Sequence, residues 1–159
     1  MSFIFWIAVT IGIAIFLVPD FYTNRFQWAV ESELVGLSPE YKGVNKLHFR
    51  LAIFWFLFTL LLLPLLIVIV PNKTSQLETV MSSTMVLIFS GASLLRGIFA
   101  VVKGVFPSIK YFGSRTLYAY SGNGEIKRFG RSVAIVSSVI SALAIMSILI
   151  NLLKQVMVF

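Results

Sequence analysis

The stretch Leu51–Val70 reads LAIFWFLFTLLLLPLLIVIV, twenty residues without a charge. As a helix it would be about 30 Å long, the depth of a bilayer's hydrocarbon core. A soluble domain rarely buries a run that is apolar on every side. In lipid the run is inexpensive, because acyl chains accept Leu and Phe around the whole circumference. Pro64 interrupts its hydrogen-bond ladder, so a kink is expected near Leu60–Pro64. Its Phe/Leu-rich surface has few small residues, which suits a helix facing lipid.

The rest of the chain agrees with that reading. Of 159 residues, 58% are hydrophobic and only 12% are charged, against about a quarter charged in soluble domains. There is no cysteine, which excludes disulfides, iron–sulfur centres and thiolate metal sites. Three further apolar segments are legible. Phe3–Val18 ends at Pro19 and Asp20, and it is expected to be retained, since no Lys or Arg precedes it and no small-residue cleavage site follows. Ala8 and Gly12 within it form a small-xxx-small pair that lets another backbone approach. Residues 80–102 and 132–153 complete the set. The expected fold is an all-α integral membrane protein, a four-transmembrane-helix bundle in one domain. Its spans are 3–18, 51–70, 80–102 and 132–153, joined by loops 19–50 and 103–131 and a short turn 71–79.

Segments three and four differ in character from Leu51–Val70. Ser83, Ser90, Gly97 and Gly104 recur every seven residues, with Ser93 and Ala100 alongside. Ala134, Ser137, Ser141, Ala144 and Asn151 make a similar stripe on segment four. Small residues are the packing surface that membrane helices use where no hydrophobic driving force exists. The two segments should pack on each other, or on copies in a homo-oligomer, with Asn151 as interhelical glue.

The loops set the orientation. Arg25, Lys42, Lys46 and Arg50 lie in the first, and Lys103, Lys110, Arg115, Lys127, Arg128 and Arg131 in the second. Only Lys73 and Lys154 lie on the opposite side. By the positive-inside rule both long loops face the cytoplasm of a cell whose inner (plasma) membrane holds the protein, and both termini face out. In the first loop, Tyr22, Phe26, Ala29, Val30, Leu34 and Leu37 share one helical face, and Thr23, Asn24, Gln27 and Glu31 the other. That predicts an amphipathic interfacial helix over Asp20–Leu37, with a helix folded back on the bundle as the alternative. Ser38-Pro39-Glu40 reads as a turn or a capped helix start.

In the second loop, Thr116–Tyr120 and Glu125–Phe129 flank Asn123-Gly124, a common hairpin turn pair, so strand–turn–strand is expected. The bases Lys110, Arg115, Lys127, Arg128 and Arg131 are interleaved there with Tyr and Phe. This mixture can stack on nucleic acid or sit on an anionic leaflet, and tethering beside the leaflet favours lipid, with a partner protein open under either.

Arg96 is the one charge well inside a span. A charge at mid-membrane costs about 2.5–3.5 kcal/mol on insertion scales, which makes it a candidate for an ion or ligand pathway. Yet it lies six residues from Val102, about 9 Å from the cytoplasmic end, within reach of snorkelling or of pairing with Asp20. No H-E-x-x-H, G-x-S-x-G or G-x-x-x-x-G-K-[ST] occurs, and His48 has no carboxylate or Cys motif nearby. The residues therefore give no reason to expect an enzyme, a cofactor or a metal. In size and layout the chain is similar to phage superinfection-exclusion, plasmid-exclusion and pore-toxin immunity proteins. That resemblance is one of class, carries no site residues, and implies contact with another membrane protein or an incoming channel. The alternative is a small homo-oligomeric channel or a transporter or secretion-complex subunit, with Arg96 and the serines lining a polar path.

Overall fold

A computed structural model describes residues 3–25, 29–31, 44–69, 74–109, 116–120 and 124–156. Four long helices carry most of them: α1 (Phe3–Arg25), α2 (Val44–Ile69), α3 (Thr74–Lys103) and α4 (Glu125–Val156). Three short strands complete the described structure: β1 (Ala29–Glu31), β2 (Val105–Ile109) and β3 (Thr116–Tyr120). Three helical stretches are long and apolar enough to cross a membrane, Phe5–Thr23, Gln76–Lys103 and Glu125–Lys154. Helix α2 contributes a shorter apolar stretch, Arg50–Leu66. It exposes Phe54, Phe56, Phe58, Leu61 and Leu65, as a surface solvated by lipid would.

Contacts fix the directions. Gly12 lies against Phe89, Ile15 against Ser93 and Phe16 against Arg96, so α1 and α3 run parallel. Ser83 meets Ser147, Ser90 meets Ser141, and Gly97 meets Ala134, so α3 and α4 are antiparallel. The Trp55 indole donates to the Ile88 carbonyl at 3.1 Å, and His48 meets Phe99, so α2 also runs against α3. Helix α3 is thus the central element. The end of α1, the start of α2, the end of α3 and the start of α4 share one end of the bundle with the sheet. At the other end Leu66, Val80, Leu87, Ala144 and Ile148 form a buried apolar cluster.

Several boundaries differ from the sequence-based expectation. Helix α1 does not stop at Pro19; it continues through it to Arg25. Asp20–Arg25 therefore belong to α1, and Ala29–Glu31 pair with Leu117–Ala119 of β3. Among the described residues of 20–37, none belongs to a separate interfacial helix. Thr23, placed on the polar face of that helix, is fully buried, and Tyr22 is exposed. The reason is tertiary: Asp20 and Thr23 are buried against the bundle, Asp20 accepting from Arg96 while the Thr23 hydroxyl donates to the Asp20 carbonyl of its own helix. Residues 32–43, including the Ser38-Pro39-Glu40 turn, lie outside the described residues.

The hairpin is also different. Thr116–Tyr120 is a strand, but its partners are β1 and β2, in the order β1-β3-β2, all antiparallel. Glu125–Phe129 is instead the first part of α4, which begins seven residues before the expected Ser132. Gly124 enters that helix at φ +72°, a backbone state glycine adopts without steric cost, and its carbonyl accepts from the Lys127 and Arg128 amides. Ile126, Phe129 and Val133 then face Ala100 and Phe106 at helical spacing, which a strand could not achieve. Gly104, read as part of the small stripe, ends α3 at φ +70° with its amide on the Ala100 carbonyl.

Candidate functional site

The polar residues of the bundle gather around α3 in two groups. One is a knot at the end shared with the sheet. The other is a seam along α4.

The knot begins with Pro19. A proline within a helix lacks the amide that would bond the carbonyl four residues back, and its ring crowds the preceding turn. Here that carbonyl belongs to Ile15, and the Ser93 hydroxyl donates to it at 3.0 Å. The next carbonyl, Phe16, accepts from Arg96 Nη1 at 2.9 Å. Side chains of α3 thus reach two backbone acceptors of α1, one of which, the Ile15 carbonyl, the proline leaves without its helical donor.

Arg96 is 1% exposed. Its Nη2 donates to Asp20 Oδ1 and its Nε to the Pro107 carbonyl, each at 2.5 Å. The guanidinium carbon lies 5.0 Å from the Phe16 ring centroid and 4.7 Å from that of Phe106, within cation–π range. Arg96 therefore does not snorkel to solvent; it pairs with Asp20 and ties α1, α3 and β2 together. Pro107 fits there because β2 is an edge strand, where the absence of an amide costs least. Phe106 and Ile126 are fully buried, the Phe106 ring meets Phe129 edge-on at 5.2 Å, and Tyr22 stacks on Phe129 at 4.9 Å.

His48 stands at the edge of this knot, ahead of the apolar run that starts at Leu51. It is buried with its ring edge-on to Phe99 at 5.3 Å. Burial, and then the positive charge of Arg96, lower its pKa from 6.5 to about 4. It is neutral at physiological pH.

The seam between α3 and α4 uses the residues singled out from sequence. Ser83 Oγ donates to Ser147 Oγ at 2.9 Å, and Ser90 and Ser141 hydroxyls bond at 2.8 Å. Ser137 is buried beside them in sequence, at 1% exposure. A Cβ on Gly97 would fall 2.7 Å from the Ala134 amide nitrogen and 2.8 Å from the Gly130 carbonyl oxygen. Only glycine permits that backbone approach. Asn151 Nδ2 donates to the Ser147 carbonyl of its own helix at 2.8 Å.

Of the basic residues singled out, Lys127, Arg128 and Arg131 are exposed on the first turns of α4, and Lys110 and Arg115 lie outside the described residues. Sequence reasoning missed Ser93 as a partner of α1, Ser147 as a partner of Ser83, and the Pro107 carbonyl. Pro19 was the available signal for the first, because a proline in a membrane helix announces an acceptor that needs a donor elsewhere. Among the described residues no cluster of three or more His, Asp or Glu could hold a metal ion. No protein-family model, curated protein or solved structure matches the chain.

Proposed function

We propose that this chain is a small multi-pass inner-membrane protein that acts by contact with another membrane protein, as an exclusion or immunity factor. In this reading all four helices span the bilayer. The sheet and both long connections face the cytoplasm, and both termini face out. The ten-to-two division of Lys and Arg supports that orientation.

One observation carries the choice of contact over conduction. Arg96, the charge inside a span, is fully enclosed, and three of its donor nitrogens are used by Asp20, Phe16 and Pro107. Ser83, Ser90 and Ser141 likewise spend their hydroxyls on intramolecular bonds. A polar path would need those groups turned toward water. Their enclosure supports a sealed bundle whose outward surfaces do the work, with the cytoplasmic connections as the surface a partner meets.

The test is expression in a sensitive bacterial host, scored for resistance to phage infection, plasmid transfer and pore-forming toxins. Protection in one of the three is the expected result. Failure in all three, with the protein verified in the membrane, would overturn the role. Reporter fusions at Phe159 test the topology separately: a cytoplasmic carboxyl end would overturn the orientation. Under the conduction alternative Arg96→Glu alters ion flux in reconstituted bilayers; under the contact reading the wild-type protein passes no current.

A further inference from the structure

Helix α4 carries a surface that neither its own bundle nor the proposed contact explains. Arg128 and Arg131 are exposed near its start, and Ile135, Val139, Ala142 and Met146 are exposed below them. At about 100° per residue all six lie within roughly 60° of Arg128 on the helix wheel. They form one longitudinal strip, cationic at the end that adjoins the sheet and aliphatic beneath. From Arg131 to Ala142 the strip descends about 16 Å, half the depth of a hydrocarbon core. Below Ala142 the face stays apolar through Met146, Leu149, Ile150 and Leu153, all exposed, so an acyl chain of one leaflet's length meets aliphatic side chains throughout.

Charge at the head of the strip is one-sided. Lys127 is exposed beside the two arginines, and Glu125 is the one exposed carboxylate described in those turns. A second copy of the chain, inserted the same way up, would bring Arg128 and Arg131 against their own equivalents. Like charges disfavour that occupant. A molecule with an anionic head and acyl chains of one leaflet's length satisfies both halves of the strip at once.

We propose that this face of α4 is a binding site for an anionic phospholipid, its phosphate on Arg128 and Arg131 and an acyl chain along Ile135, Val139 and Ala142. The proposal rests on the bilayer placement above and not on the exclusion role. The guanidinium forks suit phosphate oxygens, and each cation near an anionic headgroup is worth about fivefold in affinity.

The experiment is native mass spectrometry of the full-length protein in mild detergent, with palmitoyl-oleoyl phosphatidylglycerol or phosphatidylcholine added. The wild-type protein should retain phosphatidylglycerol about 25-fold over phosphatidylcholine, and R128Q/R131Q should bring the two near parity. R128K/R131K should keep most of the preference, since the charge remains. If the glutamine variant does not fold, salt added to the wild-type protein serves instead, because screening should erase the preference. Equal retention of the two lipids by the wild-type protein overturns the proposal. So does a preference that survives both R128Q/R131Q and salt, or a dimer that excludes lipid and depends on Arg128 and Arg131. Lipid preference with no protection in the host assays would refute the exclusion role alone.

Discussion

Helix α3 meets α4 through hydroxyls and glycines, and it meets α1 through a buried charge. The two contacts solve the same problem, adhesion without a hydrophobic driving force, by different means. The seam to α4 is built from many small terms: two serine pairs and a close backbone approach at Gly97, each replaceable at modest cost. The knot to α1 concentrates its energy in one guanidinium with three acceptors, two on α1 and one on β2. A distributed contact degrades gradually. A concentrated one fails when one partner is lost, because the other is left charged and buried.

That contrast sets the order of expected effects. Asp20→Ala strands Arg96 in the bundle and should cost about 3–5 kcal/mol in denaturant titration in detergent. Replacing both, as Asp20→Leu with Arg96→Met, should cost less than Asp20→Ala alone, since no orphan charge remains. If the double replacement is the worse of the two, the concentration of energy in the pair is wrong.

Acid sharpens the comparison next. The folded-state pKa of His48 is depressed to about 4, below the usual 6.5, so the unfolded chain binds the proton first as pH falls. Stability is full above about pH 6.5 and declines toward pH 4, by roughly 2 kcal/mol between pH 7 and pH 5. His48→Phe should flatten this dependence, and a histidine resonance titrating near 6.5 in the folded protein would refute it.

On the seam, Gly97→Ala forces a methyl against the Ala134 and Gly130 backbones and should cost about 1–3 kcal/mol. Gly12→Ala should cost less, because the nearest atom, 3.0 Å away, is Cδ2 of a Phe89 ring that can turn. Equal losses at the two glycines would mean that α1 is held as closely as α4. The smallest effect belongs to the hydroxyls: a double-mutant cycle on Ser90→Ala and Ser141→Ala should return about 0.6 kcal/mol of coupling. Ser93→Ala should cost less in a Pro19→Ala background than alone, since the alanine amide then serves the Ile15 carbonyl.

The seam was the more legible of the two from sequence. A seven-residue recurrence of Ser and Gly can be read without knowing the fold, because small residues on one helical face have few other uses in lipid. Ser83, Ser90, Gly97 and Ser141 are all found in it. The knot was legible only in outline. Arg96 and Asp20 stood out as a charge within a span and an acid at a helix end. Their shared acceptors did not, because Pro107 and Phe16 offer backbone carbonyls, which no residue identity distinguishes. At Asn151 residue identity does not name the partner either, because the acceptor of its Nδ2 is a backbone carbonyl one turn back in its own helix.

The sequence by itself marked the apolar segments that became helices long enough for a membrane, because transfer to lipid sums over residues and needs no knowledge of neighbours. Only the tertiary structure decided where the ends of those helices fall. Asp20–Arg25 extend α1 because Arg96 and the sheet receive them, and Glu125–Phe129 coil instead of pairing because Phe106 and Ala100 offer a helical face to fill. Local propensity is nearly balanced in such stretches, so a few contacts with distant residues tip them.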